Sequence, residues 1–279
     1  MAPTPSPRET VYDSRAALAD PVRFLRDAGA DLAAAPAIGF RLFQSSMTAR
    51  FRKSWLGHLW LLIPAAATTI VCVYVQSRRI LAVPDSEYPY AVLVLTGVVL
   101  WQVFVESVNA PLQQLTAHRQ TMIRSTAPHE AFIFAGVLEV LLNASVRLVA
   151  LAAVLMIFGV SMASTQLLVP LGVLGLVVLG LFLGLVIAPL GMLYDDVGRA
   201  LAVATRFGFF LTPIVYAAPR DSLLQLNPVT PLLQTTRGWI FGDAPSEGFV
   251  PVMVVATFGL VAASVIYRVA RPHVFGRLG

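Results

Sequence analysis

Glu139, Asn143 and Arg147 recur every four residues within a long apolar stretch, so an acid, an amide and a base share one helix face. Ionisable groups at the centre of an apolar helix cost about 2.5 to 3.5 kcal/mol each on the insertion scale, so they face protein or water. The trio reads either as a polar track touching a solute, a gate or Arg206 of a later apolar segment, or as hydrogen bonding between helices. A proton relay is a third reading, but it needs a second buried acid facing Glu139, and the pattern offers none. Tyr74, Trp101, Phe104, Phe207, Phe209, Phe210 and Tyr216 have the side chains to stack on sugar rings, although aromatics also fill cores and membrane interfaces. Asp195 and Asp196 have the types of a metal site, yet their position directly before Val197 favours a helix cap, worth about 1 kcal/mol.

The parts of an enzyme are missing. A phosphate-cradling loop needs Gly-Lys followed by Ser or Thr, and the single lysine, Lys53, follows Arg52. His58, His118, His129 and His273 form no His-Glu-x-x-His pair, and no Gly-x-Ser-x-Gly elbow occurs. The expectation is a chain with no catalytic residues, no metal and no cofactor of its own.

The elements that must hold these residues are membrane helices. The 279 residues are 57% apolar and 13% charged, with a mean hydropathy of +0.75, too apolar for a soluble domain of this length. Six segments of about 20 residues are apolar enough to span: Leu56 to Val75, Tyr90 to Val108, Ala131 to Phe158, Leu167 to Met192, Ala200 to Ala217 and Val250 to Val269. Before them, residues 1–35 read as a cytoplasmic tail, since their arginines lie among Asp, Pro and Ala with no apolar core of a signal peptide. Residues 36–279 read as one transmembrane domain. Phe40, Phe43, Met47 and Phe51 fall on one helical face and Arg41, Ser45, Thr48 and Arg52 on the other, which predicts an amphipathic helix in the headgroup region. Arg50, Arg52 and Lys53 stand just before the first span and hold the N-terminus inside. With that orientation both termini are cytoplasmic, and the inner side carries 14 Lys or Arg residues against 4 on the outer side. The 20 basic and 15 acidic residues therefore set topology and do not point to nucleic acid. Cys72 has no partner for an intrachain disulfide.

Two connections are long. Asn109 to Glu130 reads as a short helix around Leu112, Leu115 and Arg119, closed by Pro128. Pro219 to Phe249 contains Leu226-Asn227-Pro228 and the apolar run Leu232 to Phe241, too short to span, which predicts a re-entrant hairpin.

The order of these features resembles the membrane subunits of type-2 ABC exporters, particularly those that move O-antigen, teichoic acid and capsule-like polysaccharides. The likeness is carried by Arg50-Phe51-Arg52-Lys53-Ser54-Trp55-Leu56-Gly57-His58-Leu59-Trp60 and by Gly97-Val98-Val99-Leu100-Trp101-Gln102-Val103-Phe104. Ile123-Arg124 with Pro128-His129-Glu130 continues it, as do Tyr194-Asp195-Asp196-Val197, Phe210-Leu211-Thr212-Pro213-Ile214-Val215-Tyr216 and Leu226-Asn227-Pro228. His129 and Asp195 depart from it, standing where the family usually has Arg.

The resemblance implies an all-α, six-span permease in the inner membrane, forming a homodimer with two copies of a separate ATPase that binds the ATP and Mg. It implies an interface helix bearing Arg41, Arg50, Arg52 and Lys53, and a coupling region with His118, Arg119, Arg124, Pro128, His129 and Glu130. The substrate pathway would take Tyr74, Trp101, Phe104, Glu139, Asn143, Arg147, Arg206, Phe207, Phe210 and Tyr216, and an outer gate Asn227, Pro228 and Arg237. The cargo would be a lipid-linked polysaccharide. An exporter of a drug or lipid on the same fold, and a proton-coupled transporter built on Glu139, are the rival readings.

Overall fold

Apolar side chains at helical spacing have nowhere to satisfy their backbone in lipid except within helices, and among the described residues every regular element is helical. The computed structural model describes residues 21–53, 57–78, 88–124, 127–161, 163–216 and 223–278. The chain runs through α1 (Pro21–Lys53), a 3-10 turn at Gly57–Leu61, α2 (Ile63–Ser77), α3 (Tyr90–Ala117), α4 (Arg119–Arg124) and α5 (His129–Ile157). A 3-10 turn at Ser164–Leu168 leads into α6 (Val169–Leu193) and α7 (Asp195–Leu211), and another at Leu223–Leu226 into α8 (Val229–Phe241) and α9 (Phe249–Leu278). Tail residues 1–20, Ser54 to Leu56, Arg79 and the Pro219–Arg220 start of the expected hairpin lie outside the described residues.

Among the described residues, five helical stretches are long and apolar enough to cross a bilayer: Leu59–Ser77, Tyr90–Ala117, His129–Ile157, Ser164–Leu193 and Phe249–Val274. The expected fifth span, Ala200 to Ala217, falls on α7, which has 17 residues and ends at Leu211, and is not one of these five. One boundary is corrected outright. The short helix expected around Leu112 and Arg119 is the last part of α3, which passes through Pro111 and ends at Ala117; the separate helix is only α4. An internal proline costs about 3 kcal/mol, but Leu112 and Leu115 stay buried beyond it, and that packing carries the helix on.

The centre of the bundle is α3 against α6. A Cβ on Gly180 would lie 2.5 Å from Ser107 Cβ, and one on Gly184 would lie 2.2 Å from the Val108 carbonyl oxygen. This Gly-x-x-x-Gly pair lets the two backbones touch, which packs helices where no hydrophobic effect separates lipid from side chain. Helix α1 reaches back to Pro21, into the segment read as tail, and lies along α5 on its small face at Ala35, Gly39 and Leu42. A Cβ on Gly39 would meet the Ala131 carbonyl oxygen at 2.7 Å. Phe40, on the apolar face expected to meet the headgroup region, is 49% exposed. Helices α2 and α9 leave most of their apolar surface open.

Candidate functional site

The polar trio of α5 is gathered by α3. Asn143 Nδ2 donates to Glu106 Oε1 and Arg147 Nη1 to Glu106 Oε2, while Gln114 Nε2 donates to Glu139 Oε2 at 3.1 Å. Glu139, Asn143 and Arg147 are all buried, which a shared helix face predicts. One expectation is corrected here: the partner of Arg147 is Glu106, a half-buried acid of α3, whereas Arg206 is exposed on α7. The signal for Glu106 was in the sequence, an acid inside the apolar run Tyr90 to Val108. A buried charge is tolerable when paired and hydrogen-bonded, and with both Glu106 oxygens accepting from α5, the cluster fastens α3 to α5.

At one end of the bundle a second polar junction joins three helices far apart in sequence. Pro128, with extended backbone, opens α5 and turns His129 and Glu130 inward. Arg268 of α9 donates through Nη1 to Glu130 Oε1 and through Nη2 to Asp31 Oδ2 of α1, each at 2.6 Å, and its guanidinium lies 5.6 Å from the Phe24 ring centre. Arg271 stands 3.9 Å from Glu130 Oε2, and a ring nitrogen of buried His129 is 3.3 Å from the Tyr267 hydroxyl. One guanidinium thus bridges two carboxylates on two helices, the fork geometry that arginine offers and lysine does not.

The expected coupling residues therefore separate. Pro128, His129 and Glu130 turn into this junction, His118 packs its ring 5.3 Å from that of Phe132, and Arg119 is half-buried. Ile123 and Arg124 of α4 are exposed, with Met122 anchoring the helix from below. Arg41 is exposed on α1; Arg50, Arg52 and Lys53 close that helix, their side chains outside the described residues. Asp31, Tyr267 and Arg268 escaped sequence reasoning, because no spacing rule relates residues 237 positions apart.

Helix α7 runs antiparallel beside α3. Gly198 lies near Leu112, Gly208 faces the Trp101 ring, and Phe209 meets Trp101 edge-on at 6.4 Å between ring centres. Past the helix end, the Ile214 carbonyl covers Gly97, and the Tyr90 hydroxyl donates to the Val215 carbonyl at 3.1 Å. Of the expected pathway aromatics, Trp101 and Phe104 are core residues, whereas Tyr74, Phe207 and Phe210 are 58%, 65% and 69% exposed. Tyr216 is half-buried and donates to the Phe210 carbonyl. Asp195 and Asp196 are the first two residues of α7, not its cap, and no side-chain cap hydrogen bond forms. Their charge instead meets the positive end of the helix dipole, and Asp196 accepts from Arg199 at 3.1 Å.

The segment after α7 is held by side chains. Asn227 Nδ2 donates to Thr212 Oγ1 at 2.9 Å, and Asn227 Oδ1 accepts from the Val229 amide at 3.0 Å, so one amide starts α8 and ties it to the end of α7. Pro228 follows exposed, and Arg237 Nη1 donates to the Ile214 carbonyl at 3.3 Å. Helix α8 itself is a 13-residue piece buried through Leu232, Leu233 and Trp239.

No protein-family model matches the chain. Among curated proteins it is similar to the O-antigen export system permease protein RfbA of Klebsiella pneumoniae, 21% identical over 73% of this chain and 80% of that one. It is likewise similar to the protein of that name from Myxococcus xanthus, 25% identical over 82% of this chain and 91% of that one. The polysialic acid transport protein KpsM of Escherichia coli is 24% identical over 79% of this chain and 87% of its own length. The resemblance read from the motifs is thus borne out: the homologues of this chain are type-2 ABC permeases. The membrane-protein reading agrees with its apolar helices.

Proposed function

We propose that this chain is the transmembrane subunit of an ATP-binding cassette exporter that moves a lipid-linked polysaccharide, of the O-antigen or capsule type, outward across the inner membrane. The observation that carries this reading is similarity to O-antigen export permeases and to a polysialic acid transport protein along most of both chains. Two copies form the conduit and two copies of a separate ATPase drive it. Helix α7, with the turn that follows it, is the fifth of the six spans in chain order: its antiparallel contacts with α3 from Leu112 to Gly97 support this. Helix α1 is the interface helix at the cytoplasmic surface, α4 the coupling helix, and Asn227 to Phe241 a re-entrant element at the outer face, where broken backbone is tolerated because protein buries it. Transport is mechanical. Closure of the ATPases pushes α4, the Asp31–Arg268–Glu130 junction carries the displacement into α1, α5 and α9, and the pathway between copies opens.

The test is a vesicle reconstitution of the chain with its ATPase. Accumulation of a polyprenyl-pyrophosphate-linked glycan in the trans compartment, dependent on ATP and on both proteins, is the expected result. Uptake driven by a pH gradient without nucleotide overturns it in favour of a secondary transporter; ATP-driven movement of small apolar solutes but not glycan favours the drug or lipid exporter.

A further inference from the structure

Among the described residues, Arg206 stands apart from the other charges set within the apolar helices. Glu106 and Arg147 pair with each other, and Glu139 is hydrogen-bonded by Gln114. Arg206 is exposed, with no ion pair or hydrogen bond to any described residue. Its depth follows from its neighbours. Gly198 lies beside Leu112 and Gly208 beside Trp101, so Arg206 is level with the Trp101 to Phe104 turn of α3, well inside the apolar run of that helix. It is eleven residues beyond Asp195, about 16 Å at the helical rise and so about half the thickness of a bilayer core. A guanidinium open to lipid there costs about 2.5 to 3.5 kcal/mol even on the mildest scale, so it must face water or an anion.

The surroundings describe what it faces. At 100° per residue, Asp195, Arg199 and Arg206 fall within about 40° of one another, and Phe210 lies one turn further on. The flank that packs on α3 is centred elsewhere, at Leu201 and Gly208, about 140° and 160° round from Arg206, with Phe209 at its near edge; Leu201 is the buried residue of α7. Arg199 is matched by Asp196 at the mouth of the stripe, which leaves Arg206 as its unmatched positive charge. Round the helix from it Phe210, about 40° away, and Phe207, about 100° away, present open rings, 69% and 65% exposed. A cation flanked by aromatic faces fits a ligand with an acidic group joined to sugar rings: arginine forks onto phosphate, and the rings take the flat faces of the sugars.

We propose that Arg206 grips the phosphate that links the glycan to its lipid carrier as the cargo passes along α7, with Phe207 and Phe210 bearing on the sugars next to it. This rests on the polysaccharide-export reading and names the chemical group within that cargo which the chain recognises. The same phosphate chemistry is present in the headgroups of anionic bulk lipids, and the experiment separates the two sources.

The complete complex of this chain and its ATPase is placed in vesicles of phosphatidylcholine, with a polyprenyl-pyrophosphate-linked oligosaccharide as probe. Arg206→Gln should assemble normally but raise the probe concentration that half-stimulates ATP hydrolysis by about tenfold and slow export alike, the worth of one charge-assisted hydrogen-bonding group. Arg206→Lys, which keeps the charge and loses the fork, should stay within about threefold of the native protein. In a Cys72→Ser background, Arg206→Cys should react with an anionic water-borne thiol reagent and be protected by the probe. Native half-stimulation and export in Arg206→Gln overturns the proposal, as does a thiol at 206 that reacts only after detergent. An Arg206→Gln defect that appears only when phosphatidylglycerol is added assigns the contact to bulk lipid and also overturns it. A native complex that exports no probe contradicts the polysaccharide reading and this one with it; a native complex that exports while Arg206→Gln equals it contradicts this one alone.

Discussion

Glu106→Gln leaves the Arg147 guanidinium buried beside an amide, and breaking one side of a buried pair costs about 3 to 5 kcal/mol. The purified variant should therefore melt well below the native chain, whereas Glu106→Gln with Arg147→Met, which removes both charges, should recover most of the loss. A double variant no more stable than the single one would show that the two residues act separately. Glu139 is different: its Oε2 accepts from Gln114, and a glutamine in its place can still hydrogen-bond. Glu139→Gln should keep ATP-driven export within about twofold, a loss of under 0.5 kcal/mol; export that follows a proton gradient and vanishes in this variant contradicts the account. Residue patterns told half of this story. Glu139, Asn143 and Arg147 were legible because a helix brings every fourth residue to one face, and Glu106 was legible in principle as an acid in an apolar run. That Glu106 and not Arg206 answers Arg147 depends on which helices are neighbours, which periodicity within one helix does not encode.

Arg268 is where single residues become coupled elements, since it holds α1 and α5 to α9 through Asp31 and Glu130. If this junction passes motion from α4 into the bundle, Arg268→Gln should leave ATP hydrolysis by the assembled complex near native while export falls by about tenfold or more, because two charge-assisted contacts, each worth about 1.5 to 3 kcal/mol, are lost from the linkage. Equal loss of both activities, or of neither, contradicts that role. Cysteines along α4 should crosslink to the ATPase at the exposed positions, Gln120, Thr121, Ile123 and Arg124, and not at buried Met122. At the other end, a disulfide joining α8 of one copy to α8 of its partner should stop export and spare ATP binding; undiminished export moves the gate elsewhere. Hydropathy made these helices visible but misjudged their ends. By apolar length the second span ends at Val108, yet α3 continues through Pro111 because Leu112 and Leu115 remain packed; and α1 reaches back to Pro21, its face on α5 at Ala35 and Gly39 being small residues that carry little hydrophobic signal. Helix α8 was legible as a stretch too short to span, though the amide of Asn227 that starts it and pins it to Thr212 was not.

The whole molecule is half of a machine on this account. In that machine its open apolar surfaces on α2, α7 and α9 would meet lipid and a second copy, and the sequence contains no Gly-Lys-Ser/Thr loop of the kind that binds nucleotide phosphates. The chain alone should hydrolyse no ATP, and activity should appear only with the partner subunit. The most direct measurement joins these statements: vesicles containing this chain, its ATPase or both are loaded with ATP on the cytoplasmic face, and a polyprenyl-pyrophosphate-linked polysaccharide is followed across the bilayer. The account predicts transfer with both proteins and ATP, none with either protein alone, and none with a non-hydrolysable nucleotide. Transfer by this chain alone, or robust ATP hydrolysis by it in the absence of any partner, would contradict it.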